Sequence, residues 1–284
     1  MNHIVERFLQ NMISAQTRRA YKHDIENFLK FVDYKIDNIT FETIVDYRDL
    51  LQDKGLAPAS INRNITSIRS LLTWCVNIGY LKENPALRVK LPKAEVQRPT
   101  LAFTDREVVK MLNIPDNSLY GQMHKIMLSL LFTLGLRRSE LASLKVKDIV
   151  EDRDVYVLRI RGKGQKLREV PLTAPLKKQM DELINTKNLM SDDYLFQFIK
   201  NMPVNPSSVN RMVIRYAKKA GINRRVTAHS CRATVISHLL EKGVSPRDVA
   251  DLVGHASINT TVEKYDKKRD KLTNSAVYKV KFNS

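Results

Sequence analysis

The sequence predicts a mainly α-helical chain with one small antiparallel β-sheet, divided into two domains. Three observations carry this expectation. Apolar residues recur at spacings of three and four through most of the chain. A stretch that alternates as a strand, 155–160, is followed by a glycine-containing turn and a second strand-like run. Prolines at 85, 92 and 99 then interrupt the helical pattern between two long helical tracts.

The elements follow in order. Residues 14–32 hold Tyr21, Ile25, Phe28, Leu29 and Val32 on one helical face. Thr40 suits the N-cap of a helix running to Leu51 and ended by Gly55. In 60–78, Ile61, Ile65, Ile68, Leu71, Leu72 and Cys75 share a face, and Gly79 ends the run. The other faces of these helices carry Thr17, Arg18, Lys22, Asn62, Arg63, Thr66 and Arg69. The expected domains are a helical one over 1–84, a linker over 85–99 and a mixed domain over 100–284. In the latter, 123–134 is an apolar helix. The strands 155–160 and 168–172 flank a hairpin turn, Arg161-Gly162-Lys163-Gly164-Gln165, and helices follow near 207–220, 229–242 and 246–253. A polar, basic tail begins at Asp266 and closes on the apolar Ala276-Val277-Tyr278.

Composition narrows the function. With 43% hydrophobic and 27% charged residues over 284 positions, neither a disordered nor a fibrous chain fits. No apolar run reaches the ~18 residues of a membrane span, and no export signal is evident. A cytoplasmic location and reduced thiols at Cys75 and Cys231 are therefore expected. The formal charge is +18. Such self-repulsion points to a polyanionic partner, of which nucleic acid is the leading candidate and a membrane the weaker one. The excess is uneven: 14 Lys/Arg against 11 Asp/Glu in 1–97, and 34 against 19 in the remainder.

Four local signals stand out in the second domain. They are Gly135-Leu136-Arg137-Arg138-Ser139-Glu140-Leu141, the turn holding Lys163, His229-Ser230-Cys231-Arg232, and Gly254-His255 followed by Tyr265. Each alone has an ordinary explanation in surface charge or helix capping. His229, His238 and His255 lack the spacing of a zinc site, so no metal is expected. In this order, however, the residues resemble the tyrosine recombinases, the phage-integrase family. The resemblance covers the whole second domain, and the helical first domain is similar to the family's SAM-like core-binding domain.

The resemblance implies DNA strand breakage and rejoining without metal, cofactor or nucleotide energy. Tyr265 becomes the nucleophile, linked to a 3′-phosphate while a 5′-hydroxyl leaves. Arg137 and Arg232 stabilise the charge that develops on the non-bridging oxygens. Lys163 protonates the leaving oxygen, and the Gly-Lys-Gly context favours it over Lys166. His229 accepts the phenolic proton, His255 bonds a phosphate oxygen, and Glu140 orients the site. Two features depart from the family pattern. Tyr265 follows His255 by ten residues where nine is commonest, and Ala233 stands where many relatives carry a second histidine.

By the same resemblance the partner is double-stranded DNA at a specific site, bound by a homotetramer on two sites, with the tail exchanged between protomers. Thr17, Arg18, Lys22, Asn62, Arg63, Thr66 and Arg69, with Arg211 and Arg215, are the candidate DNA contacts. Resolution of cointegrates or multimers of a mobile element is the expected role. Two alternatives stay open on sequence: a type IB topoisomerase-like enzyme, and a non-enzymatic basic architectural protein.

Overall fold

The computed structural model describes residues 2–93, 101–162 and 166–255. The chain forms two compact units, Met1–Arg98 and Pro99–Ser284. Among the described residues no helix is long and apolar enough to cross a membrane.

The first unit is a helical bundle of α1 (Asn2–Gln10), α2 (Ala15–Phe31), α3 (Phe41–Asp53) and α4 (Pro58–Asn77). Ser14 caps α2 by accepting the amide of Thr17, and Thr40 and Thr43 cap α3 reciprocally. Pro58 opens α4 in its first turn, where a missing amide breaks no helical hydrogen bond. The apolar face of α4, from Ile61 to Cys75, forms the centre of the core. Ile25 and Phe28 of α2 and Ile44 and Tyr47 of α3 close over it, with the Phe28 ring edge-on to Tyr47 at 5.0 Å. The short α1, expected only as part of a first domain helical throughout, adds Val5, Phe8 and Leu9.

Residues 85–93, expected as the start of the linker, lie on this unit instead. Ala86 and Val89 are buried in its core. Arg69 donates to the carbonyls of Ala86 and Val89, both at 3.1 Å, Asn62 to that of Pro92 and Arg48 to that of Lys90. The physical reason is local. Pro85 opens a single 3-10 turn, Pro85–Arg88, that runs no further, so most carbonyls of the segment need donors from elsewhere, and α3 and α4 supply them.

The second unit is built around α6 (Leu119–Leu134), apolar on nearly every side and packed against α5 (Asp105–Asn113), α8 (Ala174–Thr186) and α10 (Ala228–Glu241). The remaining helices are α7 (Arg138–Ser143), α9 (Pro206–Lys219) and α11 (Pro246–Val253). One antiparallel sheet runs in the order β1 (Ile149–Asp152), β2 (Val155–Arg161), β3 (Leu167–Pro171). Its register pairs Leu158 with Val170 and Ile160 with Arg168. Because side chains alternate, Arg168 shares the inner face of β3 with buried Val170, while Glu169 points outward to Arg159 at 2.7 Å.

Two helices and a strand of this unit went unpredicted. α5 announces itself only by a capping box, Thr104 with Glu107, and α8 by Leu176, Met180 and Leu183 behind Pro175. β1 is four residues long and exists through its pairing with β2. Glu107 also fastens the start of the unit: Arg224 bonds both its carboxylate oxygens and the Ala102 carbonyl. The Arg224 hydrogen bonds hold the Glu107 carboxyl down to about 2. A depressed carboxyl stabilises the fold above its ordinary value near 4.5, and that contribution is lost as pH falls toward 2. Glu107→Gln is expected to lower stability at neutral pH by about 1–2 kcal/mol, the pair being partly exposed. Thermal melts from pH 7 to 2 check this: the difference between wild type and variant must shrink below pH 4.5.

Cys75 and Cys231, the two cysteines of the sequence, are free and fully buried. Burial pushes the Cys75 thiol up to about 11 and that of Cys231 higher still.

Candidate active site

Four chain segments converge on one corner of the second unit. α6 ends at Gly135 in a left-handed conformation (φ 59°), which turns the chain directly into α7 with Arg137 as its N-cap. Gly162 after β2 and the start of β3 arrive from one side, the α11 end from another, and α10 contributes Arg232. A cavity of about 660 Å³ opens there, lined among others by Arg137, Gly162, Lys166, Arg168, Gly254 and His255.

Arg232 is the most deeply placed cation. It lies on α10 at 1% exposure and donates from Nη1 to the Gly135 carbonyl at 2.8 Å. Its Nη2 is buried with no hydrogen-bond partner among the described residues. An unmatched buried donor on a charged group costs several kcal/mol, so a chain retains one only where a further acceptor is used. Burial first, then the Arg137 charge, pushes Arg232 down to about 9, and it stays a cation at neutral pH.

Glu140 is the counter-ion. Its carboxylate is 3% exposed and accepts four hydrogen bonds. The Arg137 amide reaches Oε2 at 2.9 Å and Arg137 Nη1 reaches Oε1 at 2.6 Å. Arg168 adds a two-pronged contact, Nη1 to Oε1 at 3.1 Å and Nη2 to Oε2 at 2.8 Å. Burial alone would raise the Glu140 carboxyl; the Arg168 bonds and then the Arg137 amide outweigh it and hold it below the ordinary range. Three guanidiniums and one carboxylate thus make a group of formal charge +2, and the charges of Arg137, Glu140 and Arg168 all bear on Arg232.

The structure therefore brings Arg137, Glu140, Arg232 and His255 to one place. His255 follows Gly254 at the end of α11, and its amide donates to the Ala250 carbonyl at 2.9 Å. His229 is exposed in the first turn of α10, three residues before Arg232 and so on the same helical side. Lys163 and Tyr265 lie outside the described residues. Gly162, from which the turn bearing Lys163 departs, sits so close to the cluster that a side-chain carbon there would come within 3.7 Å of Glu140 Oε1 and Arg168 Nη1. Lys166 is exposed and lines the cavity. Arg168 is the residue the sequence reading missed. The available signal was a cation on the inward-facing side of a strand.

The candidate DNA contacts divide in two. Thr17, Arg18, Lys22, Arg63 and Thr66 are exposed on α2 and α4, and Arg211 and Arg215 are exposed on α9. Several carry a local partner: Arg18 donates to the Met12 carbonyl, Arg63 pairs with buried Asp24 at 2.8 Å, and Arg215 stacks over Tyr216 at 5.2 Å. Asn62 and Arg69, by contrast, face the 85–92 segment and hold its carbonyls. Their helical position read as solvent-facing because the segment that covers them could not be placed from the pattern.

Residues 102–271 match the model of the phage integrase family, and residues 6–79 match the phage integrase N-terminal SAM-like domain. A tyrosine recombinase of Pseudothermotoga lettingae is 34% identical, the alignment covering 90% of this chain and 92% of the relative. Tyrosine recombinase XerC of Thermodesulfovibrio yellowstonii is 31% identical over 92% of this chain and 88% of its own. Among solved structures, a lambda integrase tetramer bound to a Holliday junction superposes with a TM-score of 0.73 at 20% identity, over 95% of this chain and 78% of that one. With the fold, the arginine–glutamate cluster and these matches in hand, the chain belongs to the phage integrase family and is a tyrosine recombinase, an enzyme that cuts and rejoins DNA strands.

Proposed function

We propose that the chain recombines two copies of one specific duplex DNA site through a covalent bond between Tyr265 and a 3′-phosphate. The observation that carries this reading is the +2 cluster, whose buried Arg232 Nη2 has no partner among the described residues. A phosphodiester brings one negative charge, and its five-coordinate transition state spreads a second over the non-bridging oxygens. A site poised at +2 favours the transition state over the ground state, which is what lowers a barrier.

The chemistry balances with side chains alone. His229 takes the phenolic proton of Tyr265, and the phenolic oxygen bonds phosphorus. The bond to the 5′-oxygen breaks, and Lys163 delivers a proton to that oxygen. Arg137, Arg232 and His255 hold the non-bridging oxygens, and Glu140 fixes Arg137. Attack by a 5′-hydroxyl from the second duplex reverses each transfer and reseals the strand without an external energy source.

In this reading the first unit clamps DNA through Arg18, Lys22, Arg63 and their neighbours, while Arg211 and Arg215 on α9 contact it from the second. Four protomers act on two sites, as the tetrameric assembly of the structural neighbour supports, with the tail after Tyr265 exchanged between them. The role we assign is resolution of cointegrates or multimers of a mobile element in the cytoplasm.

A supercoiled plasmid carrying two directly repeated copies of a site recovered by binding selection tests the reading. Incubation in EDTA is expected to yield two smaller circles. Relaxation of a plasmid without the site would favour a topoisomerase, and binding without any strand cleavage an architectural protein.

A further inference from the structure

We propose that Arg168 is a positioning residue for strand cleavage, holding Glu140 and the end of α11 so that Arg137 and His255 meet the scissile phosphate. This deepens the proposed function and rests on it.

The placement of Arg168 is unusual for a sheet. It occupies an inner-face position on β3 opposite Ile160 and beside Val170, and its side chain is only 14% exposed. A cation at such a place is destabilising unless it is matched on several sides. Here the guanidinium is matched on three: two bonds go to Glu140, and Nε donates to the Leu252 carbonyl at 3.1 Å. Gly254 lies directly against it. A side-chain carbon at that position would stand 2.7 Å from Nη1, and its φ of 68° already favours glycine.

The second anchor of the same turn comes from Arg137, whose Nη2 donates to the Gly254 carbonyl at 2.8 Å. The last carbonyls of a helix lack intrahelical partners. Two guanidiniums therefore hold the α11 end at alternate carbonyls, the second immediately before His255, which itself precedes Tyr265 by ten residues. The two-pronged grip of Arg168 has a further effect. It saturates the Glu140 carboxylate face, so that Arg137 contacts it through one Nη1 bond and its own amide and keeps Nε and other hydrogens for phosphate. Without Arg168, the buried carboxylate would draw Arg137 into a two-pronged pair of its own.

The test uses the full chain with Arg168→Gln, Arg168→Lys, Glu140→Gln and the double variant Arg168→Gln/Glu140→Gln. Affinity is measured on an intact duplex site, and single-turnover adduct formation on a nicked suicide duplex. Both Arg168 variants are expected to bind within about threefold of wild type and to form adduct on the order of 10–100-fold more slowly, the range a misplacement of about 1 Å produces. The double variant is expected to be slowed no further than Arg168→Gln, since both changes break the same Arg168–Glu140–Arg137 contact. Should the glutamine variant not fold, Arg168→Lys decides on the split between affinity and adduct rate. Wild-type rates in the Arg168 variants, a proportional loss of binding and rate, or an additive loss in the double variant would each overturn the assignment. If the wild-type chain itself forms no Tyr265 adduct on the same duplex, the underlying function falls; a normal wild-type adduct with unaffected Arg168 variants removes only the role of Arg168.

Discussion

Tyr265→Phe is expected to bind the DNA site with unchanged affinity and to form no covalent adduct. The substitution removes one oxygen atom, so the loss isolates the nucleophile from folding and binding. Deleting the nucleophile of a covalent enzyme costs on the order of 10⁶-fold, below the detection limit of a single-turnover assay. The nearest later tyrosine, Tyr278, is thirteen positions further along and is not expected to substitute. Denaturing gels of a suicide substrate show the adduct as a retarded band, and peptide mapping locates it. An adduct that survives in the variant, or maps to Tyr278, would refute the assignment. The ten-residue interval from His255, one longer than the commonest family spacing, makes this the sharpest single check.

The second large effect is expected at Arg232. Arg232→Lys should slow adduct formation by about 10²–10³-fold, the cost of losing one transition-state donor set. A lysine has one nitrogen where arginine has three, and it cannot serve the Gly135 carbonyl and a phosphate oxygen from two sides. Charge is the second loss. Burial and the Arg137 charge, which push the arginine down, act in the same direction on a lysine, and lysine starts lower. The residual activity of the variant should therefore fall as pH rises over a range where the wild-type enzyme keeps its guanidinium charged. A lysine variant with wild-type rates, or with a flat profile over that range, would show that the buried charge does not face the reaction.

The parts of this molecule that are local in sequence were legible there. Thr40 caps its helix as expected, and the i, i+3, i+4 pattern of α4 marks its buried face. The order of Arg137, His229, Arg232, His255 and Tyr265 was enough to indicate the family. What escaped depends on contacts between distant residues. Arg168 meets Glu140 across 28 positions and Leu252 across 84, and although alternation puts it on the Val170 side of its strand, nothing in the run Leu167-Arg168-Glu169-Val170 names the groups it meets there. Asn62 and Arg69 lie on the polar side of α4, and only the folded path of 85–92 reveals what covers that side. The helices α1 and α5 are nine residues each, short enough that tertiary packing rather than local preference fixes them.

The deep burial of Cys75 and Cys231 has a practical consequence for following this enzyme at work. Both native sulfurs are shielded and held as thiols, so maleimide dyes will leave them untouched in the folded chain. A cysteine introduced at an exposed position of each unit would then take up fluorophores without any prior mutation of the native pair, opening the strand-exchange cycle to single-molecule distance measurements.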